Sequence, residues 1–210
     1  MNSFFNSQPD IPYNLTMFSK HELELHLKDH SSLLELNRVM SAYELAESVH
    51  EPQRRNDGSP YFYHATRVCK ILCKELSITD ADVLCAAILH DVLEDSEVIT
   101  HRVLEYNFGE YVAYIVGTLT KDLERQELFP EEVEREHLEL LKNASVDCLL
   151  IRLTARLDNF RCLGFNLKRN PIRYINETSE SYLPLADHFK NERLDYIVKE
   201  IKRERNKFVG

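Results

Sequence analysis

Apolar residues recur at helical spacing along almost the whole chain and nowhere keep the two-residue rhythm of strands. Leu33-Leu34, Leu36, Val39-Met40, Tyr43, Leu45-Ala46 and Val49 form a stripe that predicts a helix reaching His50 and ending before Pro52. A helix over 20–30 comes before it, where Ser19 and Glu22 have the spacing of a capping box. Residues 51–60 read as a turn-rich loop, followed by a helix over 61–76 that carries His64 and keeps its period through Val68, Ile71 and Leu72. Thr79 and Asp82 read as the capping box of the next helix. Further helices are expected over 97–107, 109–119, 132–144 and 146–165, with two more after Pro171, to about Phe189 and over 191–207. Leu119 to Pro130 reads as an exposed loop. The fold class is therefore all-α, a compact multi-helix bundle, with residues 1–32 as an arm and short helix and 33–207 as the main domain.

One stretch breaks the pattern. Ala81 to Leu89 is apolar almost all round, which predicts a buried helix, yet it runs straight into His90, Asp91, Glu94 and Asp95. If the helix continues, spacings of three and four put all four polar groups on one face. Carboxylates on a buried helix are unfavourable without a cation or hydrogen-bond partners. Imidazole beside carboxylate suits Mn, Fe, Co or Zn. His64 is the natural third ligand, and Arg152 to Arg161, with Asp158, is the later stretch fit to supply a fourth.

Composition narrows the function. With 35 acidic against 26 basic residues the net charge is −9, which argues against a nucleic-acid binder and still allows a local basic pocket for a small phosphorylated ligand. Cys69, Cys73, Cys85, Cys148 and Cys162 form no CxxC pair, and four of them sit in apolar or helical patterns, as buried thiols do. With no signal peptide and no stretch long enough to cross a bilayer, a reducing, cytoplasmic setting without membrane partners is expected. The Asn14, Asn143 and Asn176 glycosylation patterns then read as chance matches.

The order His64, His90-Asp91, later Asp is that of the HD phosphohydrolase superfamily. Within it, a set of blocks resembles the hydrolase domain of RelA/SpoT-type alarmone enzymes and the stand-alone small alarmone hydrolases. These are Gln53-x-Arg55-x-x-Gly58-x-Pro60-Tyr61-x-x-His64, Ala87 to Asp95, Phe108-Gly109-Glu110-x-Val112-Ala113, Thr120-Lys121, Leu153 to Leu163, and Glu177 to Ala186. The resemblance implies an all-helical enzyme with its metal, most commonly Mn²⁺, held between helices, which removes pyrophosphate from the 3′ position of a guanosine alarmone such as (p)ppGpp, or of an adenosine counterpart. It implies metal ligation by His64, His90 and Asp91, water activation by Glu94 and Asp95, and nucleotide binding by Arg55 and Asn159, with Tyr182 bordering the pocket. The expected partner is a small nucleotide, and a homo-oligomer stays open.

One departure matters. Where the family reads Leu-Ala-Asp-Arg-Leu-His-Asn, this chain reads Leu153-Thr154-Ala155-Arg156-Leu157-Asp158-Asn159, so the usual ligand is Ala155. Asp158 is the expected replacement ligand, bound directly or through water from a shifted position. Two other readings follow: a degenerate domain that binds a nucleotide or protein partner without turnover, and removal of the 2′-phosphate of NADPH.

Overall fold

The computed structural model describes residues 11–165 and 171–209. Among them the regular structure is helical, apart from one isolated bridge between Arg54 and Pro60. The chain runs α1 (Lys20–Leu27), α2 (Leu33–His50), α3 (Phe62–Lys74), α4 (Ala81–Leu89), α5 (Val92–Asp95), α6 (His101–Phe108) and α7 (Glu110–Leu119). It continues with α8 (Leu123–Leu128), α9 (Pro130–Asn143), α10 (Val146–Cys162), α11 (Pro171–Glu177), α12 (Leu183–Ala186) and α13 (Glu192–Arg205).

α4 is the axis. Val83 to Leu89 are all buried, because α2, α3 and α7 pack round it and leave no side for solvent. Its start is fixed by Asp80, whose Oδ1 accepts from the Asp82 and Val83 amides at 2.9 and 3.2 Å. The cap is thus Asp80 rather than Thr79, because a short carboxylate one residue nearer satisfies both free amides. α10 is the second pillar, packed on α3, α7 and α13, with Leu149, Ile151, Leu153 and Leu157 fully buried. Truncating a side chain such as Leu84 or Leu153 to Ala would cost about 2–5 kcal/mol.

Several expected boundaries move. Ser19 and Ser32 both make reciprocal capping boxes, with Glu22 and Glu35, and α1 stops at Leu27. The 119–130 loop contains α8, started by Asp122 accepting from the Arg125 amide at 2.9 Å, and α9 begins at Pro130, whose missing N–H suits the first helical turn. The segment after Pro171 divides into α11, a π-turn over Thr178–Tyr182 and α12. Residues 166–170 and the first ten of the expected arm lie outside the described residues. Phe18, Leu23 and Leu27 are buried in the same core as α2, α3 and α4. No helix among the described residues is long and apolar enough to cross a membrane, and all five cysteines are buried and free.

The break that positions the site falls between His90 and Asp91. α4 ends at Leu89, and Asp91 adopts φ −107°, ψ −1° before α5 starts. The expected continuous helical face from His90 to Asp95 is therefore not formed. Instead the Asp91 carbonyl accepts from the Glu94 and Asp95 amides at 3.1 and 3.3 Å, opening a new short turn in which Glu94 and Asp95 point apart into different surroundings.

Candidate metal centre and phosphate pocket

His64 stands in the first turn of α3, His90 caps α4 and Asp91 opens α5. One ligand atom from each lies within 4.8 Å of the others. Both imidazoles are turned the same way. His90 Nδ1 lies 2.8 Å from the Ala87 carbonyl, which can only accept, so Nδ1 carries the hydrogen and Nε2 faces the cluster with its lone pair. His64 Nδ1 lies 2.7 Å from Asp158 Oδ2, which fixes the same tautomer. Asp91 Oδ2 accepts from the Tyr61 hydroxyl at 2.8 Å and lies 3.2 Å from His90 Nε2.

The electrostatics suit a cation. Burial, helped by the Arg55 charge, pushes the His64 imidazole down to about 4 against the pull of Asp158, so the ring is neutral at ordinary pH and free to ligate. Burial works to raise the Asp91 carboxyl, but the two imidazoles and the Tyr61 hydroxyl hold it well below the usual carboxylate range. Glu94 moves the other way. Burial and the Asp91 charge raise it to about 7, although its Oε1 accepts from the Lys121 amide at 2.7 Å. Two carboxylates three residues apart are thus split into one that stays ionised and one that exchanges a proton near neutrality, the arrangement acid–base chemistry needs.

These groups open onto a cavity of about 440 Å³. α10 supplies one wall through Arg152, Ala155, Arg156 and Asn159, a run of spacings three, one and three on one helical face. Arg54, Arg55 and Lys121 add positive charge, against Glu94, Glu134 and Glu177. Arg55 Nη1, Arg152 Nε and Arg156 Nε are buried without a hydrogen-bond partner, while the same guanidiniums contact Asp158 at 3.5 Å, the Leu119 carbonyl, and Thr178 and Glu177 respectively. With Asp91 counted among the acids, five basic residues face four acidic ones, a local excess of basic groups inside a chain of net charge −9. The sequence reading did not single out Arg152, Arg156, Lys121 or Tyr61 as site residues. Two arginines four apart on a largely apolar helix were the available signal.

Several expected residues take different places. Arg55 and Asn159 both line the cavity, and Arg55 Nη2 donates to Asn159 Oδ1. Asp95 does not line it; its Oδ2 lies 3.4 Å from Nδ1 of the buried His50, and burial raises its carboxyl. Tyr182 is fully buried behind the wall, with the Arg156 guanidinium 3.4 Å above its ring and its hydroxyl accepting from Lys121 at 3.3 Å. Asp158 is outside the ligand cluster altogether. Three residues along a helix fall about 60° short of a full turn, so when Ala155 faces the cavity Asp158 turns into the contact with α3. It is correspondingly fully buried, with its carboxylate on Arg67 at 2.7 Å rather than on the cavity.

Fold and site together define an all-helical domain in which two histidines and an aspartate that could hold a metal ion meet at an arginine-lined cavity, the arrangement of a metal-dependent phosphohydrolase. Residues 42–189 match the model of the HD domain, so the chain belongs to the HD-domain family. It is 34% identical over 157 residues to the guanosine-3′,5′-bis(diphosphate) 3′-pyrophosphohydrolase of Vibrio cholerae, covering 72% of this chain and 22% of that protein. The chain thus spans under a quarter of the bacterial relatives of this kind, whereas the MESH1 proteins of the same designation match over nearly their full length. The mouse protein is 31% identical, covering 81% of this chain and 96% of its own, and that of Drosophila melanogaster is 34% identical, covering 80% and 94%. A solved structure described as a metazoan ortholog of SpoT that hydrolyzes ppGpp superposes with a TM-score of 0.68 at 31% identity, covering 84% of this chain and 97% of that one.

Proposed function

We propose that the protein is a metal-dependent hydrolase that removes the 3′-pyrophosphate of a guanosine alarmone such as (p)ppGpp. The carrying observation is the convergence of His64, His90 and Asp91 at a cavity walled by Arg55, Arg152 and Arg156. The comparisons point the same way, because the HD-domain relatives matched along nearly their whole length are designated for that reaction.

The donor set fits a divalent ion: two imidazoles whose Nδ1 sides are engaged by Asp158 and the Ala87 carbonyl, and a carboxylate held ionised. We assign the ion as Mn²⁺. When bound, such an ion acidifies water and neutralises phosphoryl charge. The rest is done by the chain. Arg55 and Asn159 hold the nucleotide, and Arg152, Arg156 and Lys121 bind the phosphoryl oxygens and orient the phosphorus towards the attacking water. Glu94, raised to about 7, accepts the proton of that water as its oxygen bonds to phosphorus, and the P–O bond to the 3′-oxygen breaks as that oxygen takes the proton back from Glu94 and leaves as the ribose hydroxyl. Asp95 rests against His50 outside the cavity and has no direct part in the step. Five buried free cysteines suit a reducing, cytoplasmic setting.

Purified protein loaded with Mn²⁺ is expected to release pyrophosphate from ppGpp. Absence of release from guanosine and adenosine alarmones alike would overturn the reading, and release of inorganic phosphate from NADPH alone would replace it. One observation favours a second reading, a domain that binds nucleotide without turnover: the Ala155 methyl occupies the cavity wall where the family carries a carboxylate. Retention of intact ppGpp by the metal-loaded protein would select it.

A further inference from the structure

We propose that Asp158, Arg67 and Tyr13 form a buried clamp that positions His64 for the metal, so that the carboxylate missing at Ala155 is replaced by one acting through an imidazole. The inference rests on the metal-centre reading above and adds the part played by the amino-terminal segment.

Asp158 is fully buried and both its oxygens are occupied. Oδ1 accepts from the Tyr13 hydroxyl at 2.9 Å and from Arg67 Nε at 2.7 Å. Oδ2 accepts from His64 Nδ1 at 2.7 Å and Arg67 Nη2 at 3.1 Å, with Arg55 Nη1 at 3.5 Å. A carboxylate offers about four lone-pair directions, so these four hydrogen bonds leave none for a metal. The residue that the sequence offered as a displaced ligand is saturated by other partners.

What the carboxylate does is visible in His64. Accepting the Nδ1 hydrogen fixes the tautomer, aims Nε2 at Asp91 and His90, and makes that nitrogen more basic. An isolated buried carboxylate would be prohibitively unfavourable, and Arg67 removes the difficulty. Its guanidinium is itself buried and always charged, and it spends its remaining hydrogens on the carbonyls of Asn14 at 3.1 Å and Thr16 at 2.9 Å and on Cys162 Sγ at 3.5 Å.

Those last contacts bring in residues 11–18, which lie across α3 and α10 as a strap. Tyr13 stacks under Arg67 at 5.3 Å while donating to Asp158. Asn14 is buried and donates to Asp57 at 3.2 Å, in the loop that carries Arg55. The Phe18 amide donates to Thr66 at 3.2 Å, two residues after His64. The strap therefore braces His64 from behind and Arg55 from the side without reaching the cavity, except through them.

The test uses the full chain loaded with Co²⁺, read by chelator competition, by its visible spectrum and by proton NMR of the exchangeable imidazole N–H signals that the paramagnetic ion displaces. The parent is expected to show two such signals, from His64 and His90. Asp158→Asn is expected to weaken Co²⁺ binding about 10–100-fold, to move only the His64 signal and to leave the visible bands of the ligand set in place. Tyr13→Phe, which removes one hydroxyl, is expected to move the same signal with a several-fold smaller loss, and thermal melts of both variants check that the fold stands. Unchanged affinity and signals in both variants would overturn the clamp, as would visible bands showing that Asp158→Asn removes a ligand. Parent protein that takes up no Co²⁺ would instead overturn the metal-centre reading itself, and the clamp with it.

Discussion

The two histidines of the centre present the same atom by opposite means. His90 is braced by the Ala87 carbonyl three residues back in its own chain segment, a backbone group that no side-chain substitution removes. His64 is braced by Asp158, 94 residues away in sequence and itself held by Arg67 and Tyr13. One half of the site is therefore built into a helix end and the other hangs on a chain of side chains. The lesson is that the local half is hard to lose by drift, whereas the distant half can be rebuilt with different residues as long as some carboxylate reaches Nδ1.

Removing a ligand from the local half should have the largest effect. Asp91→Ala is expected to lower Mn²⁺ affinity by more than the roughly 100-fold typical of a supporting partner, and to abolish pyrophosphate release. Isothermal titration and a product assay read both, and an active variant would show that the centre is elsewhere.

The distant half should respond next, and in stability rather than chemistry. Arg67→Ala leaves the Asp158 carboxylate buried without its cation, which is expected to destabilise the fold by about 3–5 kcal/mol. Double replacement with Asp158→Ala should recover part of this in chemical denaturation. Equal stability of parent and Arg67→Ala would mean that the pair contributes nothing.

Glu94 sharpens the comparison because it belongs to the local half yet titrates near neutrality. A general base must be a carboxylate, so turnover should rise with pH through its pKa, at about 7 for the metal-free site and lower once a cation is bound. Glu94→Gln is expected to cut kcat by about 10²–10⁴-fold and to flatten that limb of the pH–rate profile. A variant retaining both rate and limb would assign the base elsewhere. The smallest effect is expected at Arg55, where loss of charge-assisted bonds of about 1.5–3 kcal/mol to phosphate or ribose should raise KM roughly 10–100-fold with kcat little changed.

Much of the site could be read along the chain. His64, His90, Asp91, Glu94, Arg55 and Asn159 do meet at one cavity. The places of Asp95, Tyr182 and Asp158 could not be read, for a common reason: each depends on an angle set by packing. The break after His90 turns Asp95 towards His50, the π-turn draws Tyr182 behind Arg156, and about 60° of helix rotation takes Asp158 from the metal to Arg67. Tyr13 left no readable signal, since an aromatic in a proline-bearing polar segment is ordinary until a buried carboxylate is known to lie beneath it.

By itself the sequence determined the helical class, because apolar residues at spacings of three and four suit only helices that share a core. It also determined the metal-binding chemistry of the local half, because ligands one residue apart at a helix end must stay together. Only the tertiary structure decided which acid faces the cavity, which one accepts from His64, and that residues 13–16 lie against Arg67 and Asp158. Those outcomes depend on side chains from distant elements competing for the same few buried ångströms, and sequence spacing does not record that competition.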